Sequence, residues 1–171
     1  MNEPVMNNTD TYINEFGGLV TNTGHASDEI VIQISDVSKW YGDFQVLSGC
    51  SAHVHKGDVV VVCGPSGSGK STLLKTVNGL EPFQKGEIMV SGVSVGTPKT
   101  NLPKLRSSVG MVFQHFELFP HLTIVDNLTV AQIKVLGRKE AEAKQKAMAY
   151  LDRVGLTAQA AKYPAELSGG Q

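Results

Sequence analysis

The feature that most constrains the fold of this chain is a glycine-rich run, GPSGSGKST, at residues 64–72. An apolar run, VVVVC at residues 59–63, precedes it, and the helix-favouring segment STLLKTVNGL overlaps its end. Glycines let successive backbone N–H groups converge on one point, and a helix start adds unpaired N–H groups and the positive end of its dipole. This strand–loop–helix pattern, G-x-x-x-x-G-K-[ST], predicts a cradle for the phosphates of a nucleoside triphosphate.

The side chains of this loop have predicted roles. Lys70 is expected to reach the β- and γ-phosphates, Ser71 to offer its hydroxyl to Mg²⁺, and Thr72 to place a hydroxyl near the α-phosphate. The motif alone does not distinguish an ATPase from a GTPase or a small-molecule kinase, and an ordinary Gly/Ser turn is the structural alternative. The residues predicted to contact the nucleotide are Gly64, Pro65, Ser66, Gly67, Ser68, Gly69, Lys70, Ser71 and Thr72.

The pattern around the loop predicts a β-rich and α/β part, residues 30–114. Alternating apolar residues in IVIQISDVSKWY and VLSGCSAHV predict two strands, joined as a hairpin through YGDFQ. The run at 59–63 is apolar throughout, which predicts a strand buried on both faces of a parallel sheet, with Cys63 packed as a small hydrophobe. A short strand in GEIMVSG, a short helix in NLPKLRSSV and a strand in VGMVFQ ending at Gln114 are expected to follow.

Residues 115–171 are predicted to be helical. Thr123 and Asp126 resemble a capping box ahead of IVDNLTVAQIKVL. The next segment, RKEAEAKQKAMAYLDRVG, has the composition of a strong helix that ends at its final glycine. Its apolar stripe is predicted to comprise Ala147, Leu151 and Val154.

Composition excludes several classes of protein. The 171 residues carry 15 basic and 16 acidic side chains, a balance that gives no bulk charge for binding nucleic acid. Two cysteines, Cys50 and Cys63, are too few for a disulfide framework. No window reaches the roughly 18 apolar residues of a membrane span, so any membrane role is expected to come through partners. Residues 1–29 are polar and irregular, which predicts a flexible tail, with a docking peptide that folds on a partner as the alternative.

The end of the chain, LSGGQ at residues 167–171, gives the phosphate loop a family context. The pairing of GPSGSGKST with LSGGQ across a helical segment resembles the ABC transporter ATPases, whose signature motif is LSGGQ. Tyr41 in KWYG looks like the A-loop aromatic of that family, and Gln114 in VGMVFQ looks like its Q-loop glutamine. The runs KWYGDFQVL and GMVFQHFELFPHLT are similar to the polar amino acid uptake branch, which includes glutamate/aspartate import ATPases. The resemblance covers residues 30–171.

The resemblance implies further site residues. Tyr41 would stack on adenine, with packing on the sheet edge as the alternative, which is favoured for Trp40. Gln114 would reach Mg²⁺ and the attacking water, so the catalytic pair in this chain would be Lys70 and Gln114, and the metal ligands Ser71 and Gln114. The signature residues would bind, in trans, the γ-phosphate of ATP held by a second copy; they are Leu167, Ser168, Gly169, Gly170 and Gln171.

The resemblance also implies a fold and partners. The fold class would be α/β, a P-loop NTPase core of an antiparallel hairpin plus a parallel sheet, with an inserted helical subdomain, incomplete at the C-terminus. The first part of the core would be residues 30–114 and the helical subdomain residues 115–171. The implied function is that of the ATPase subunit of an importer of polar amino acids, glutamate and aspartate being favoured. Implied partners are a second ATPase subunit, transmembrane permease subunits and, indirectly, a periplasmic substrate-binding protein, at the cytoplasmic face of the inner membrane, with no nucleic acid.

Family members carry a Walker B aspartate and a catalytic glutamate after the signature motif, and residues 1–171 contain no match to either. The 171-residue chain is therefore expected to bind ATP weakly, to hydrolyse it negligibly and to be marginally folded. Several alternatives remain open at this point. They are an exporter or lipoprotein-release ATPase, a non-transport ABC ATPase, a P-loop kinase or GTPase, and a truncated chain without activity.

Overall fold

The computed structural model describes residues 27–113 and 117–171, together with the backbone of two short strands, β1 (Thr11–Ile13) and β2 (Leu19–Asn22). These residues divide into two compact units, residues 1–109 and residues 110–171. The sequence predicts no regular structure before Ile30, so β1 and β2 differ from that expectation. Both strands contain β-branched or aromatic residues, which suit a strand once a partner edge is available.

The predicted hairpin is confirmed as the first long element of unit one. It consists of β3 (Ile30–Tyr41) and β4 (Phe44–His55), paired antiparallel up to Tyr41 and Phe44. The alternation in β3 is interrupted at Asp36, whose φ of 50° accompanies a register shift in the pairing with β4. Such a bulge lets Ile34 and Val37 both face the core although they are an odd number of residues apart.

The strand before the phosphate loop differs most from the prediction. It is β5 (Val60–Val62), and it pairs antiparallel with β2 rather than in a parallel sheet. Val59 and Val61 are 76% and 53% exposed, and Cys63 is exposed as well, so the prediction of burial on both faces was wrong. All strand pairs among the described residues are antiparallel. Without a parallel neighbour there, the open edge of an apolar strand pairs with another available backbone edge.

The rest of unit one follows the loop along the chain. The helix α1 (Lys70–Val77) is followed by β6 (Lys85–Val90), β7 (Val93–Ser94) and α2 (Leu102–Ser108). The main sheet has the strand order β4-β3-β6-β7. The predicted strand in GEIMVSG and helix in NLPKLRSSV are confirmed. The strand predicted in VGMVFQ does not form at residues 110–113, where Val112 is 97% exposed.

The core of unit one lies between the main sheet and the two helices. Strands β3, β4 and β6 contribute most of its residues, α1 contributes Val77 and α2 contributes Leu105. Arg106 of α2 donates from Nε to the carbonyl of Asn78 at 3.2 Å and from Nη2 to that of Gly79 at 2.6 Å. A cation at these carbonyls stabilises the C-terminal end of α1. The buried core residues are Ile34, Val37, Leu47, Cys50, Val77, Ile88, Val90, Val95 and Leu105.

Unit two is built on α3 (Ile124–Lys134) and α4 (Glu140–Arg153), which pack against each other. Thr123 caps α3 as predicted, because its hydroxyl accepts a hydrogen bond from the backbone N–H of Asp126 at 3.2 Å. The stripe of α4 is confirmed at Ala147 and Leu151, and Ala143 is buried with them. Val154 is 65% exposed because α4 ends before it.

The segment after α4 returns to the start of α3. The backbone N–H groups of Ile124 and Val125 donate to the carbonyls of Lys162 and Ala160, both at 2.9 Å. These bonds satisfy two of the N–H groups that a helix start leaves without intrahelical partners. Two short 3₁₀ helices, Thr157–Gln159 and Pro164–Glu166, lie in this segment. Within the ranges that the structure describes, no helix has the length and apolar character needed to cross a membrane.

Candidate functional site

The predicted phosphate loop joins β5 to α1 in the expected strand–loop–helix order. Three of its glycines have positive φ angles: Gly64 at 151°, Gly67 at 82° and Gly69 at 86°. The backbone N–H of Ser68 donates to the carbonyl of Pro65 at 3.3 Å, which closes a turn inside the loop. A backbone with several residues at positive φ can turn its N–H groups towards a common point.

Gly69 fixes the place where the loop becomes a helix. It is the N-cap of α1, and a Cβ atom there would lie 2.9 Å from the carbonyl oxygen of Val46 and 3.0 Å from a side-chain carbon of Leu47. A glycine is therefore required both by the backbone angle and by the close approach to β4. This contact anchors the helix start on the main sheet.

The start of α1 suits an anion. The N-cap glycine supplies no capping side chain, and the first turn contains no acidic residue. The N–H groups of the first turn are thus left to an external acceptor, and the helix dipole adds partial positive charge at the same point. These features fit the phosphates of a nucleotide.

Lys70 folds back over its own loop. Its Nζ atom donates to the carbonyl oxygens of Gly64 at 2.9 Å and Pro65 at 2.6 Å, and lies 3.4 Å from the hydroxyl of Ser68. The ammonium is therefore held beside the loop by neutral acceptors. Charged phosphate oxygens make stronger hydrogen bonds to an ammonium than neutral carbonyls do, so an anion at the helix start could draw Lys70 away from these contacts.

Of the two predicted metal ligands, Ser71 and Gln114, only Ser71 lies among the described residues. Among the described residues, no group of three or more His, Cys, Asp or Glu side chains is placed to hold a metal ion. Ser71 is exposed in the first turn of α1, and one hydroxyl fits Mg²⁺ only when phosphate and water oxygens supply the other ligands. Gln114, the second predicted ligand, lies outside the described residues.

Tyr41, predicted to stack on adenine, lies at the end of β3 with 47% of its surface exposed. The Nζ atom of Lys39 lies over the ring, 4.2 Å from its centroid. The neighbouring Trp40 is partly buried, and its backbone N–H donates to the side-chain oxygen of Gln84 at 3.0 Å. Of the two neighbouring aromatic residues, Tyr41 is therefore the more exposed and Trp40 the more buried.

The predicted signature residues belong to unit two, whereas the phosphate loop and Tyr41 belong to unit one. Residues 168–171 form a single turn, in which the N–H of Gln171 donates to the carbonyl of Ser168 at 2.9 Å. The side-chain oxygen of Gln171 accepts from both the N–H and the hydroxyl of Ser168, each at 3.1 Å. The bond from the Ser168 N–H to the Gln171 side chain is one half of an S-x-x-Q capping box, and residues 168–171 form a hydrogen-bonded turn.

Sequence reasoning did not identify Lys39, which is only 2% exposed. A signal was present, because Val37, Lys39 and Tyr41 alternate along β3 and Val37 faces the core. Lysine is almost never fully buried unless its charge has a partner. A lysine at a core-facing position of a strand therefore predicts a fixed polar contact nearby.

The chain is similar to a known protein family and to curated members of it. The family described as ABC transporter matches residues 47–171. The glutamate/aspartate import ATP-binding protein GltL of Escherichia coli K12 is 68% identical over 141 residues, which cover 82% of this chain and 58% of that protein. The glutamate/glutamine/aspartate/asparagine transport ATP-binding protein BztD of Rhodobacter capsulatus is 54% identical over 145 residues, which cover 85% of this chain and 55% of that protein. The chain thus spans somewhat more than half the length of these relatives.

Solved structures of ABC transporter cassettes are similar to this chain in fold. The dimeric structure of MJ0796, a bacterial ABC transporter cassette, matches with a TM-score of 0.72 and 29% identity, over 82% of this chain and 64% of that one. The post-hydrolysis dimer of the same cassette, bound to ADP and Pi, matches with a TM-score of 0.68 and 26% identity, over the same shares. These matches confirm the predicted α/β P-loop fold class.

Proposed function

Since this chain belongs to the ABC transporter family, we propose that it is the nucleotide-binding part of an ATPase that powers uptake of a polar amino acid. The observation that carries this proposal is the loop at residues 64–72, which joins a strand to an uncapped helix start in a family that binds ATP. The proposed division is a tail at residues 1–29, the first part of the core at residues 30–114 and the helical subdomain at residues 115–171.

The loop residues would hold the nucleotide by its phosphates. The backbone N–H groups of the loop and of the first turn of α1 would donate to the phosphate oxygens. Lys70 would exchange its contacts with the carbonyls of Gly64 and Pro65 for the β- and γ-phosphates. Thr72 would donate its hydroxyl near the α-phosphate, and Ser71 and Gln114 would hold Mg²⁺. The bound ion would neutralise phosphate charge.

The signature residues would act on a second copy of the subunit. Ser168 and the glycines that follow it are exposed, and the Gln171 side chain is bonded to Ser168 within a single turn. A helix that begins at this turn would direct its free N–H groups to the γ-phosphate of a nucleotide carried by the partner copy. A two-fold dimer would place each signature motif at the other copy's phosphate loop. Transmembrane permease subunits and a periplasmic binding protein would complete the importer at the cytoplasmic face of the inner membrane.

The names of the relatives favour acidic amino acids as the transported substrate. GltL, at 68% identity, is a glutamate/aspartate import protein, and BztD, at 54%, is a transport protein for the same two acids and their amides. An ATPase subunit does not itself contact the transported solute. The substrate assignment therefore concerns the importer with which this subunit works.

A chimaera tests the proposal in cells. Residues 1–171 would be joined to the C-terminal part of E. coli GltL that the match does not cover, and produced in an E. coli strain lacking GltL. We expect uptake of labelled aspartate to be restored, and the same chimaera with Lys70→Ala to be inactive at equal abundance. A chimaera that accumulates and binds ATP but gives no uptake would contradict the assignment to acidic amino acid import.

A further inference from the structure

A buried lysine stands between the aromatic residue Tyr41 and the loop that follows α1. The side chain of Lys39 is 3% exposed, and its Nζ atom donates to the carbonyl of Pro82 at 2.6 Å and lies 3.3 Å from a carboxylate oxygen of Glu81. The same atom lies 4.2 Å from the centroid of the Tyr41 ring. One ammonium thus contacts an anion, a carbonyl dipole and an aromatic face.

The loop that holds this ammonium is attached at both of its ends. On the side of α1, the backbone N–H groups of Leu80 and Glu81 donate to the carbonyl of Lys75 at 2.9 and 3.1 Å. On the side of β3, the backbone N–H of Gln84 donates to the carbonyl of Ser38 at 3.1 Å. The position of Glu81 is therefore fixed relative to the helix that begins at the phosphate loop.

Burying an ammonium is costly, and an apolar side chain of similar length would fill the same space without that cost. An apolar side chain could supply neither the contacts with Glu81 and Pro82 nor the attraction to the ring of Tyr41. A cation over the face of an aromatic ring is attracted by the negative charge of that face. Because Tyr41 is about half exposed, the contact leaves ring surface open for a further stacking partner.

We propose that Lys39 is a positioning residue for base recognition, which holds the Tyr41 ring at a set place relative to α1 so that a purine can stack on its open surface. Glu81 and Pro82 hold the ammonium, and the ammonium holds the ring. The proposal rests on the proposed function, because it assumes that the phosphate loop binds a nucleotide. The proposal adds Lys39 as the residue that fixes the position of the Tyr41 ring relative to the phosphate loop.

The first test compares ATP with inorganic tripolyphosphate, which offers phosphates without a base. Lys39→Met keeps the length of the side chain and removes the charge. We expect this variant of the 171-residue chain to bind ATP about 3- to 10-fold more weakly, the range set by cation–π and base-stacking strengths. Its affinity for tripolyphosphate should be unchanged. Lys85→Met is the matched control, because the Nζ atom of Lys85 lies over Trp40 instead, 5.5 Å from the ring centroid.

The second test asks whether the effect passes through the ring. In a Tyr41→Ala background, Lys39→Met should cause no additional loss of ATP affinity, since there is no ring left to position. A lysine with only a structural role would lower the affinity for both ligands and would do so in both backgrounds. The Lys39→Met variant is compared with the parent chain by urea unfolding before the titrations.

Glu81→Gln provides a second route if Lys39→Met does not unfold cooperatively. It keeps Lys39 and its bond to Pro82 and removes only the ionic contact. We expect Glu81→Gln to lower the affinity for ATP less than Lys39→Met does and to leave the affinity for tripolyphosphate unchanged. This loss should also disappear in the Tyr41→Ala background. Equal losses for ATP and tripolyphosphate, or a loss that persists without the Tyr41 ring, would overturn the role of Lys39 alone. If the unsubstituted chain binds neither ligand, both this inference and the proposed function fail.

Discussion

The Lys70 ammonium is bonded to the carbonyl oxygens of its own loop, so a ligand must offer stronger acceptors than these carbonyls to bind it. Neutral acceptors at 2.6 and 2.9 Å hold the ammonium. An anion at the start of α1 offers charged acceptors together with the helix dipole, which also favours negative charge. The loop thus provides carbonyl acceptors for Lys70 without a ligand, and a binding place for an anion that would attract Lys70 more strongly.

Gly69 and Gly67 permit a matched test of how the loop is anchored. Both have φ near 85°, but a Cβ atom at Gly69 would lie 2.9 Å from the carbonyl of Val46, whereas at Gly67 nothing lies within 4 Å. Gly67→Ala should cost only backbone strain, about 1 kcal/mol of unfolding free energy. Gly69→Ala should cost that plus the displacement of β4, about 2–4 kcal/mol in all. Urea unfolding measures both values, and equal losses would argue against the close packing of α1 on β4.

The two cysteines should differ in reactivity. Cys50 is buried, and this burial raises the pKa of its thiol, so less of the reactive thiolate is present at a given pH. Cys63 is exposed beside the phosphate loop. With a thiol reagent at pH 8, we expect one fast reaction in the folded chain, lost in Cys63→Ser, and a second reaction only in denaturant. Two equally fast reactions in the folded chain would show that Cys50 is not protected.

At the scale of elements, the sequence predicted the helices and the hairpin, because their signals lie within short stretches of neighbouring residues. The β3–β4 hairpin, α2, α3 and α4 all formed where alternation, helical periodicity or a cap indicated them. The phosphate loop also followed from its own motif. The sequence did not predict the antiparallel pairing of β5, and the strand that it predicted before Gln114 does not form at residues 110–113. Both depend on strand pairing, which is decided by the other strand edges that are available. The role of Lys39 was not predicted, because its partners Glu81 and Pro82 are distant in sequence and contact it only in the folded chain.

The cap of α3 can be tested through Thr123. Its hydroxyl accepts from the N–H of Asp126 at 3.2 Å and also donates to the Asp126 carboxylate at 2.5 Å. Thr123→Ala should lower the unfolding free energy of the helical unit by about 1 kcal/mol, the usual cost of losing an N-cap. Thr123→Ser keeps the oxygen and should retain most of that stability. Chemical denaturation followed by circular dichroism measures the difference, and equal losses in both variants would place the effect outside the cap.

At the scale of the whole molecule, the phosphate loop and the signature turn lie in one chain that spans 58% of the length of GltL. By resemblance to the family, the acidic residues that hold Mg²⁺ and activate water follow the signature motif, and residues 1–171 contain no match to them. We therefore expect a polypeptide made of residues 1–171 alone to bind ATP without releasing phosphate above background in a continuous assay. Mg²⁺-dependent release that Lys70→Ala abolishes would contradict this expectation.

The central claim is that residues 64–72 bind the phosphates of a nucleotide, and its most direct test is an equilibrium titration of the chain with ATP. We expect saturable binding, weakened at least about tenfold by Lys70→Met, since a hydrogen bond to a charged group contributes about 1.5–3 kcal/mol. Both proteins should unfold at the same urea concentration. Saturable binding that Lys70→Met leaves unchanged, or no binding by the unsubstituted chain, would contradict the claim.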